Sequence, residues 1–353
     1  CPTEVLCEGA CVYNEQDVKP IEIGRLQNHA TQQAISSNLS IARKAESRKE
    51  KIAIIGAGPA GISCACELSN LGYQVDVYES KSKAGGLALY GTAPYKILND
   101  EVSREIEYLQ SQFGFTLHLN KGITNASSLR QLESEYDAIF LGIGMGGTRQ
   151  LNLKGENLKH CVGATEFIEA LKMNPTTTHV GHKVVVIGGG NTAMDAASES
   201  ARMGADQVTL IYRRSIESMG AYHFELDLAK SVGVKASFNV QPIEVLGDSE
   251  VSGIKCIRTK TVDGQLQNIE GSEFVIECDM VIKATGQQKQ TDFLDMIPLN
   301  YDGSGRIETK NYQCSNSIYF AGGDAMNGGA EVVNACAEAK KAAQEMDRFL
   351  QNK

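Results

Sequence analysis

One pattern occurs twice in this chain: a short apolar run, a glycine-rich turn, a stretch of small residues and a second apolar run. Lys51-Ile-Ala-Ile-Ile55 leads into Gly56-Ala-Gly-Pro-Ala-Gly61, then a helical stretch to about Leu71, then Gln74-Val-Asp-Val-Tyr78. His182-Lys-Val-Val-Val-Ile187 leads into Gly188-Gly-Gly-Asn-Thr-Ala193, a helical stretch from Met194 to Met203, and Gln207-Val-Thr-Leu-Ile-Tyr212. A strand without polar positions has to be covered on both faces, as in a parallel sheet. Strand, helix and strand within about thirty residues form a βαβ unit. Two such units in 353 residues predict an α/β protein with two domains, since one core serves ~150 residues.

The turns themselves suggest a ligand. In such a turn the first glycine permits the bend, the second lets a pyrophosphate approach the backbone, and the third lets helix and strand pack closely. The helix N-terminus then offers free N–H groups and a positive dipole end to phosphate. Gly56, Gly58 and Gly61 fill these places in the first unit, with Pro59 and Ala60 between them, and Glu79 follows the second strand. A carboxylate there accepts the ribose hydroxyls of a nucleotide that lacks a 2′-phosphate, such as FAD. In the second unit Gly188, Gly190, Asn191 and Thr192 form the turn, Ala193 stands in the third place, and Arg213-Arg214 replace the carboxylate. Guanidinium groups pair with phosphate through charge-assisted, often bidentate hydrogen bonds, which suits NADP(H). NAD(H) stays open as the alternative.

Two later apolar runs also stop at glycines: Asp279-Met-Val-Ile-Lys-Ala-Thr-Gly286 and Ser317-Ile-Tyr-Phe-Ala-Gly-Gly-Asp324. Gly323-Asp324 after a buried strand places a carboxylate beside a ribityl chain, and Gly286 belongs to the same flavin reading. A last helix is expected from about Glu331 to Leu350, and a first one from about Ile21 to Ser47.

Composition excludes several classes. Lys plus Arg number 34 against 43 Asp plus Glu, a net charge of -9, which argues against nucleic acid as a partner. No apolar run approaches the ~18 residues of a membrane span, and no signal peptide is visible, so a cytoplasmic enzyme is expected. Hydrophobic residues at 42% exclude disorder. Three of the ten cysteines, Cys1, Cys7 and Cys11, cluster at the start, and in a reduced protein such a cluster points to metal. His179 and His182 read as a solvated linker, with no further ligand near them in sequence. The chain opens on Cys1 rather than Met, which suggests a trimmed or partly represented polypeptide.

Together these residues resemble the glutathione-reductase-like fold, with two Rossmann-like dinucleotide-binding domains. More narrowly, the chain is similar to the FAD/NAD(P) module of dihydropyrimidine dehydrogenases and of glutamate synthase small subunits. Cys1-Pro-Thr, Cys7, Cys11 and Pro20-Ile-Glu-Ile-Gly24-Arg-Leu26-Gln27 carry the narrower resemblance. It implies [4Fe-4S] clusters ligated by Cys1 on one side and by Cys7, Cys11 and Gln27 on the other, with further ligands upstream. Gln27 is the dihydropyrimidine dehydrogenase variant of that position, where glutamate synthase leans to Glu. The resemblance further implies flavin contacts from Gly86, Leu87 and Lys96. Here the family's Gly-Ile-Pro-x-Phe-Lys/Arg-Leu stretch reads Gly91-Thr-Ala-Pro-Tyr-Lys-Ile97, and its Glu-Gly-Lys/Arg reads Glu338-Ala-Lys340.

The expected organisation is a helical iron–sulfur remnant over 1–49, a discontinuous FAD domain over 50–150 and 285–353, and an NAD(P)H domain over 151–284. The expected reaction is hydride transfer from NAD(P)H to FAD and onward electron release through the clusters to a partner. The resemblance implies that this partner is an FMN and iron–sulfur catalytic subunit, since multidomain dihydropyrimidine dehydrogenases carry an FMN barrel that nothing after Lys353 could form. Hydride transfer needs no side-chain nucleophile or base, so no catalytic residue is assigned. Glutamate synthase is the alternative setting. A disulfide reductase would need Cys-x-x-Cys, whereas Cys64 and Cys66 have only one residue between them, and a nucleotide-binding redox sensor would not turn over an acceptor.

Overall fold

Sequence runs that are apolar at every position become strands covered on both faces, in two separate sheets. A computed structural model describes residues 1–353. Unit 1 comprises Cys1–Leu89, Asn99–Met145 and Lys289–Lys353; unit 2 comprises Tyr90–Leu98 and Gly146–Gln288.

The first stretch carries α1 (Ile23–Ser36), β1 (Lys51–Ile55), α2 (Pro59–Asn70), β2 (Gln74–Tyr78), α3 (Gly86–Tyr90), α4 (Asn99–Phe113), β3 (Thr116–His118), α5 (Ala126–Glu135) and β4 (Ala138–Leu141). There follow β5 (Cys161–Gly163), α6 (Ala164–Met173), β6 (Lys183–Ile187), α7 (Asn191–Arg202), β7 (Gln207–Tyr212) and α8 (His223–Ser231). Next come β8 (Lys235–Phe238), β9 (Val240–Leu246), β10 (Gly253–Val262), β11 (Gln265–Asn268), β12 (Phe274–Glu277) and β13 (Met280–Lys283). The chain then adds α9 (Thr291–Leu294), β14 (Tyr319–Ala321), α10 (Asp324–Asn327) and α11 (Val332–Gln351).

The sheet of unit 1 runs β14-β4-β1-β2-β3 and is parallel throughout. Ile52 and Ile54 of β1 face a core formed with α2 and α11, through Cys64, Leu68, Ala339 and Met346. Their neighbours Ala53 and Ile55 face the opposite core, with Leu129 and Leu132 of α5 and Ile297 and Leu299 beyond α9. At ~25 cal/mol per Å² of apolar surface, burial on both sides makes β1, with the fully buried β4 beside it, an anchor of this unit.

Unit 2 repeats the arrangement in the order β5-β13-β6-β7-β8. Val184 and Val186 meet α6, α7 and α8, whereas Val185 and Ile187 meet a sheet that the sequence reading did not foresee. That second sheet joins β9, β10, β11 and β12 in antiparallel pairs, and its tight turn is Asp263-Gly264 at φ 50° and 76°. Asp-Gly with both φ positive is the usual two-residue hairpin connection.

The first helix is shorter than expected. It stops at Ser36, and no helix occupies residues 37–58; no residue before Ile52 is buried, so nothing there anchors a longer amphipathic face. The other expected helices, α2, α7 and α11, match their ranges to within three residues at each end, whereas α4 had no expected counterpart.

Candidate functional site

Because the strands of unit 1 are parallel, Gly56 after β1, Glu79 after β2, Gly142 after β4 and Gly322-Gly323-Asp324 after β14 all emerge at one edge. Ligands of open α/β sheets bind at that edge. Gly56 takes φ 99° and donates to Tyr78 O at 2.8 Å, and a Cβ on it would lie 2.4 Å from Gly142 O. Gly61 packs still closer, since a Cβ there would lie 1.9 Å from Gly56 O. Gly58 precedes Pro59 at the start of α2, and Ala60 is buried. Gly85 N–H donates to Ala57 O at 2.8 Å, which brings Gly86 onto the turn, 3.7 Å from where a Gly58 Cβ would be. Leu87 is exposed beside it.

Glu79 is only 8% exposed. Its carboxylate accepts from Ala57 N at 2.9 Å, Lys81 N at 2.8 Å and Ser80 Oγ at 3.1 Å. A carboxylate has about four lone-pair sites, so acceptor capacity is left over for a hydroxyl donor. At the other side of the sheet, Glu338 of α11 accepts from Gly323 N at 2.8 Å and from the Asn327 amide at 3.1 and 3.2 Å. This holds Gly323 at φ 75° and aims Asp324, which accepts from Ala330 N at 3.2 Å. Burial raises the pKa of Asp324, and the nearby Glu338 adds to the rise. Glu338, first residue of the Glu338-Ala-Lys340 stretch, gains its role from these hydrogen bonds to the turn.

In unit 2, Gly190 precedes α7, and a Cβ on it would meet nothing within 4 Å, so the helix N-terminus faces open space. Gly188 is buried and Thr192 exposed. Asn191 Oδ1 accepts from Tyr222 N at 3.0 Å, and Ala221 N donates to Gly189 O at 2.9 Å. These bonds fold residues 215–222 back onto the glycine turn, a feature that no local periodicity announced. Arg213 and Arg214 are exposed at the end of β7. Their backbone carbonyls accept from Thr259 Oγ1 at 2.7 Å and Asn239 N at 3.0 Å, while neither guanidinium is drawn into an ion pair.

Two residues expected at the flavin belong to unit 2. Gly286 lies in unit 2, where its carbonyl accepts from Arg149 N at 2.9 Å. Lys96 also belongs to unit 2, and its ammonium lies 2.7 Å from Asp195 of α7 and 2.6 Å from Glu225 of α8. Tyr95 O–H donates to Asp195 at 2.6 Å, and Lys172 of α6 donates to Thr92 O at 2.8 Å and Ile97 O at 3.1 Å. The segment 90–98 is therefore bolted to three helices of unit 2 by buried polar groups. Two carboxylates already compensate Lys96, which gives it a structural task within unit 2.

The N-terminal cysteines are not assembled. Cys1 is exposed, Cys7 and Cys11 are half-buried, Gln27 is exposed, and no group of three or more His, Cys, Asp or Glu side chains is gathered to hold a metal ion. These residues alone do not fit a cluster. The first glycine edge does fit FAD, through the close-packed turn at Gly56–Gly61, the spare acceptor capacity of Glu79, and Asp324 on the far strand. The second fits a nicotinamide nucleotide, through the open α7 N-terminus and two uncommitted guanidinium groups. No helix is long and apolar enough to cross a membrane.

The chain is similar to known proteins in sequence and in fold. Residues 50–339 match the sequence family described as pyridine nucleotide-disulphide oxidoreductase, and residues 1–39 match dihydropyrimidine dehydrogenase domain II, 4Fe-4S cluster. The chain is 33% identical to the glutamate synthase [NADPH] small chain of Escherichia coli (strain K12), over 99% of this chain and 79% of that one. It is 30% identical to the NAD-dependent dihydropyrimidine dehydrogenase subunit PreT homolog of Salmonella typhi, over 99% of this chain and 80% of that one. Among solved structures it resembles Mycobacterium tuberculosis FprA in complex with NADPH, with a TM-score of 0.73, 19% identity, and 86% and 85% of the two chains covered. That likeness confirms the two-domain α/β fold. With its two nucleotide edges and these relatives, the chain belongs to the pyridine nucleotide-disulphide oxidoreductase family, as a flavin- and NAD(P)H-dependent oxidoreductase with a 4Fe-4S domain match at its N-terminal side.

Proposed function

We propose that this protein is the electron-input component of a dihydropyrimidine dehydrogenase, taking reducing equivalents from NADPH onto FAD and passing them to a catalytic partner that reduces uracil and thymine. The observation that carries the reading is the opposite charge at two equivalent places: buried Glu79 after β2 of unit 1, and exposed, unpaired Arg213-Arg214 after β7 of unit 2. A carboxylate accepts two hydroxyls and repels a 2′-phosphate, whereas guanidinium attracts one.

FAD, when bound, supplies a carrier that accepts two electrons together and releases them singly. In this reading the Gly56–Gly61 turn and the α2 N-terminus hold its pyrophosphate, Glu79 its adenosine ribose, and Asp324 its ribityl chain. Gly188, Gly190 and Thr192 receive the NADPH pyrophosphate at the α7 N-terminus, and Arg213 with Arg214 its 2′-phosphate. Glu338 keeps Asp324 aimed by holding Gly323 N–H. Asn191 keeps residues 215–222 folded over the second turn.

Gln27 and the similarity of residues 1–39 to dihydropyrimidine dehydrogenase domain II support the pyrimidine setting. The 33% identity to a glutamate synthase small chain supports that enzyme as the second reading. Anaerobic addition of NADPH to FAD-loaded protein tests the shared core of both, with bleaching of the flavin band expected. Protein that takes up no FAD ends both readings. Co-purification then separates them, through a partner active on uracil and thymine or one active on glutamine and 2-oxoglutarate.

A further inference from the structure

Lys289 is the first residue of the last stretch of unit 1, and it is half-buried. Its ammonium has two neighbours within hydrogen-bond reach: Met145 Sδ at 3.0 Å and Gly328 O at 3.4 Å. The first is a thioether, a weak acceptor, and the second is distant. No carboxylate forms an ion pair with Lys289. Arg306, whose side chain packs against the same Gly328, is by contrast neutralised by Asp302 at 2.8 Å. A partly desolvated cation with such poor partners is costly unless an anion completes the site.

The position of Lys289 says which anion. Met145 follows β4 and Gly328 follows β14, so the ammonium stands at the carboxyl edge of the sheet on its β4–β14 side. Glu79 marks the β2 side and the Gly56–Gly61 turn the middle. A dinucleotide with its adenosine ribose at Glu79 and its pyrophosphate at that turn extends its other half toward β4 and β14. Asp324 is on that side too, and Lys289 lies near enough to oppose the rise in its pKa. In the FAD reading given above, the group that would lie on that side is the flavin ring, whose pyrimidine edge takes up negative charge on two-electron reduction.

We propose that Lys289 is a charge-compensating residue for the reduced flavin, and so raises the reduction potential of this protein's FAD. The proposal rests on the FAD reading given above. Its test uses the full chain loaded with FAD, in dye-equilibrated potential titrations, beside measured FAD dissociation constants. In Lys289→Gln the reduced form should lose on the order of tenfold in relative stabilisation, read as a potential lower by about 30 mV for a two-electron couple. FAD affinity of the oxidised protein should stay within about twofold, and Lys289→Arg should recover most of the potential. Lys289→Met, which keeps an apolar stem against the Gly305 backbone, gives the same reading should the glutamine variant not fold. An unchanged potential in a variant that still binds FAD overturns the proposal. So does a large loss of FAD affinity without a change in potential, because the cation would then serve the pyrophosphate. Wild-type protein that binds no FAD fails the parent reading instead, and is recognised as such before any variant is made.

Discussion

The ammonium of Lys96 lies 2.6 Å from Glu225 Oε1, and Glu225 is almost completely withdrawn from solvent. Burial works against the charge on Lys96, but Asp195 and Glu225 outweigh it, and the Lys96 pKa rises. Removing one member of a buried pair leaves the other charge uncompensated. Lys96→Met should therefore destabilise the protein by about 2–4 kcal/mol in urea unfolding, somewhat below the fully buried range because Lys96 is partly exposed. FAD content should be unchanged. A variant of wild-type stability that loses FAD would restore Lys96 to the flavin.

Lys172 gives the same region a pH dependence. Burial pushes its pKa down to about 8 from 10.5, against the opposing pull of Glu199 and Asp195. Between those values the unfolded chain binds more protons than the folded one, so stability rises with pH across that window. Below about pH 8 the lysine is charged in both states and the full cost of burying it is borne. Wild type should gain about 1–2 kcal/mol over Lys172→Met between pH 8 and 10.5, allowing for partial solvation. Parallel pH–stability curves for the two proteins would contradict this.

Gly61→Ala probes the first turn. The added methyl would lie 1.9 Å from the Gly56 carbonyl oxygen, a backbone atom that no side-chain rotation can move away. A loss of about 1–3 kcal/mol is expected from the overpacking. FAD affinity should fall by at least tenfold, as measured by flavin fluorescence on titration, because α2 can no longer sit against β1 with its N-terminus at the turn.

Arg213→Glu probes the second. A hydrogen bond to a charged group contributes about 1.5–3 kcal/mol, and tenfold in affinity corresponds to about 1.4 kcal/mol. The KM for NADPH should rise by at least tenfold, and that for NADH by no more than about threefold. Equal effects on both would show that Arg213 does not read the 2′-phosphate.

Local patterns made the two parallel sheets legible, because a strand covered on both faces has to be apolar at nearly every position, as Ile52–Ile55 and Val184–Ile187 are. The glycine turns were legible for a related reason: Gly61 and Gly56 meet within one turn of chain, so their spacing is itself the contact. What stayed hidden depends on distant partners. Lys96 is explained by Asp195 and Glu225, about a hundred residues and more away, and its own neighbours suggested a different role. Lys289 meets Met145 and Gly328 only because β4 and β14 are adjacent in the sheet. The β9–β12 sheet alternates polar and apolar residues on strands that bury one face, a weaker signal than a continuous apolar run.

The interleaving of the two units also bears on how the chain matures as it leaves the ribosome. Everything that unit 2 requires has emerged once Gln288 is made, whereas the sheet of unit 1 still lacks β14 and the helix that closes its core. The domain begun first is thus the one finished last, and until residues 319–351 appear, Ile139 and Phe140 of β4 have an open edge beside them.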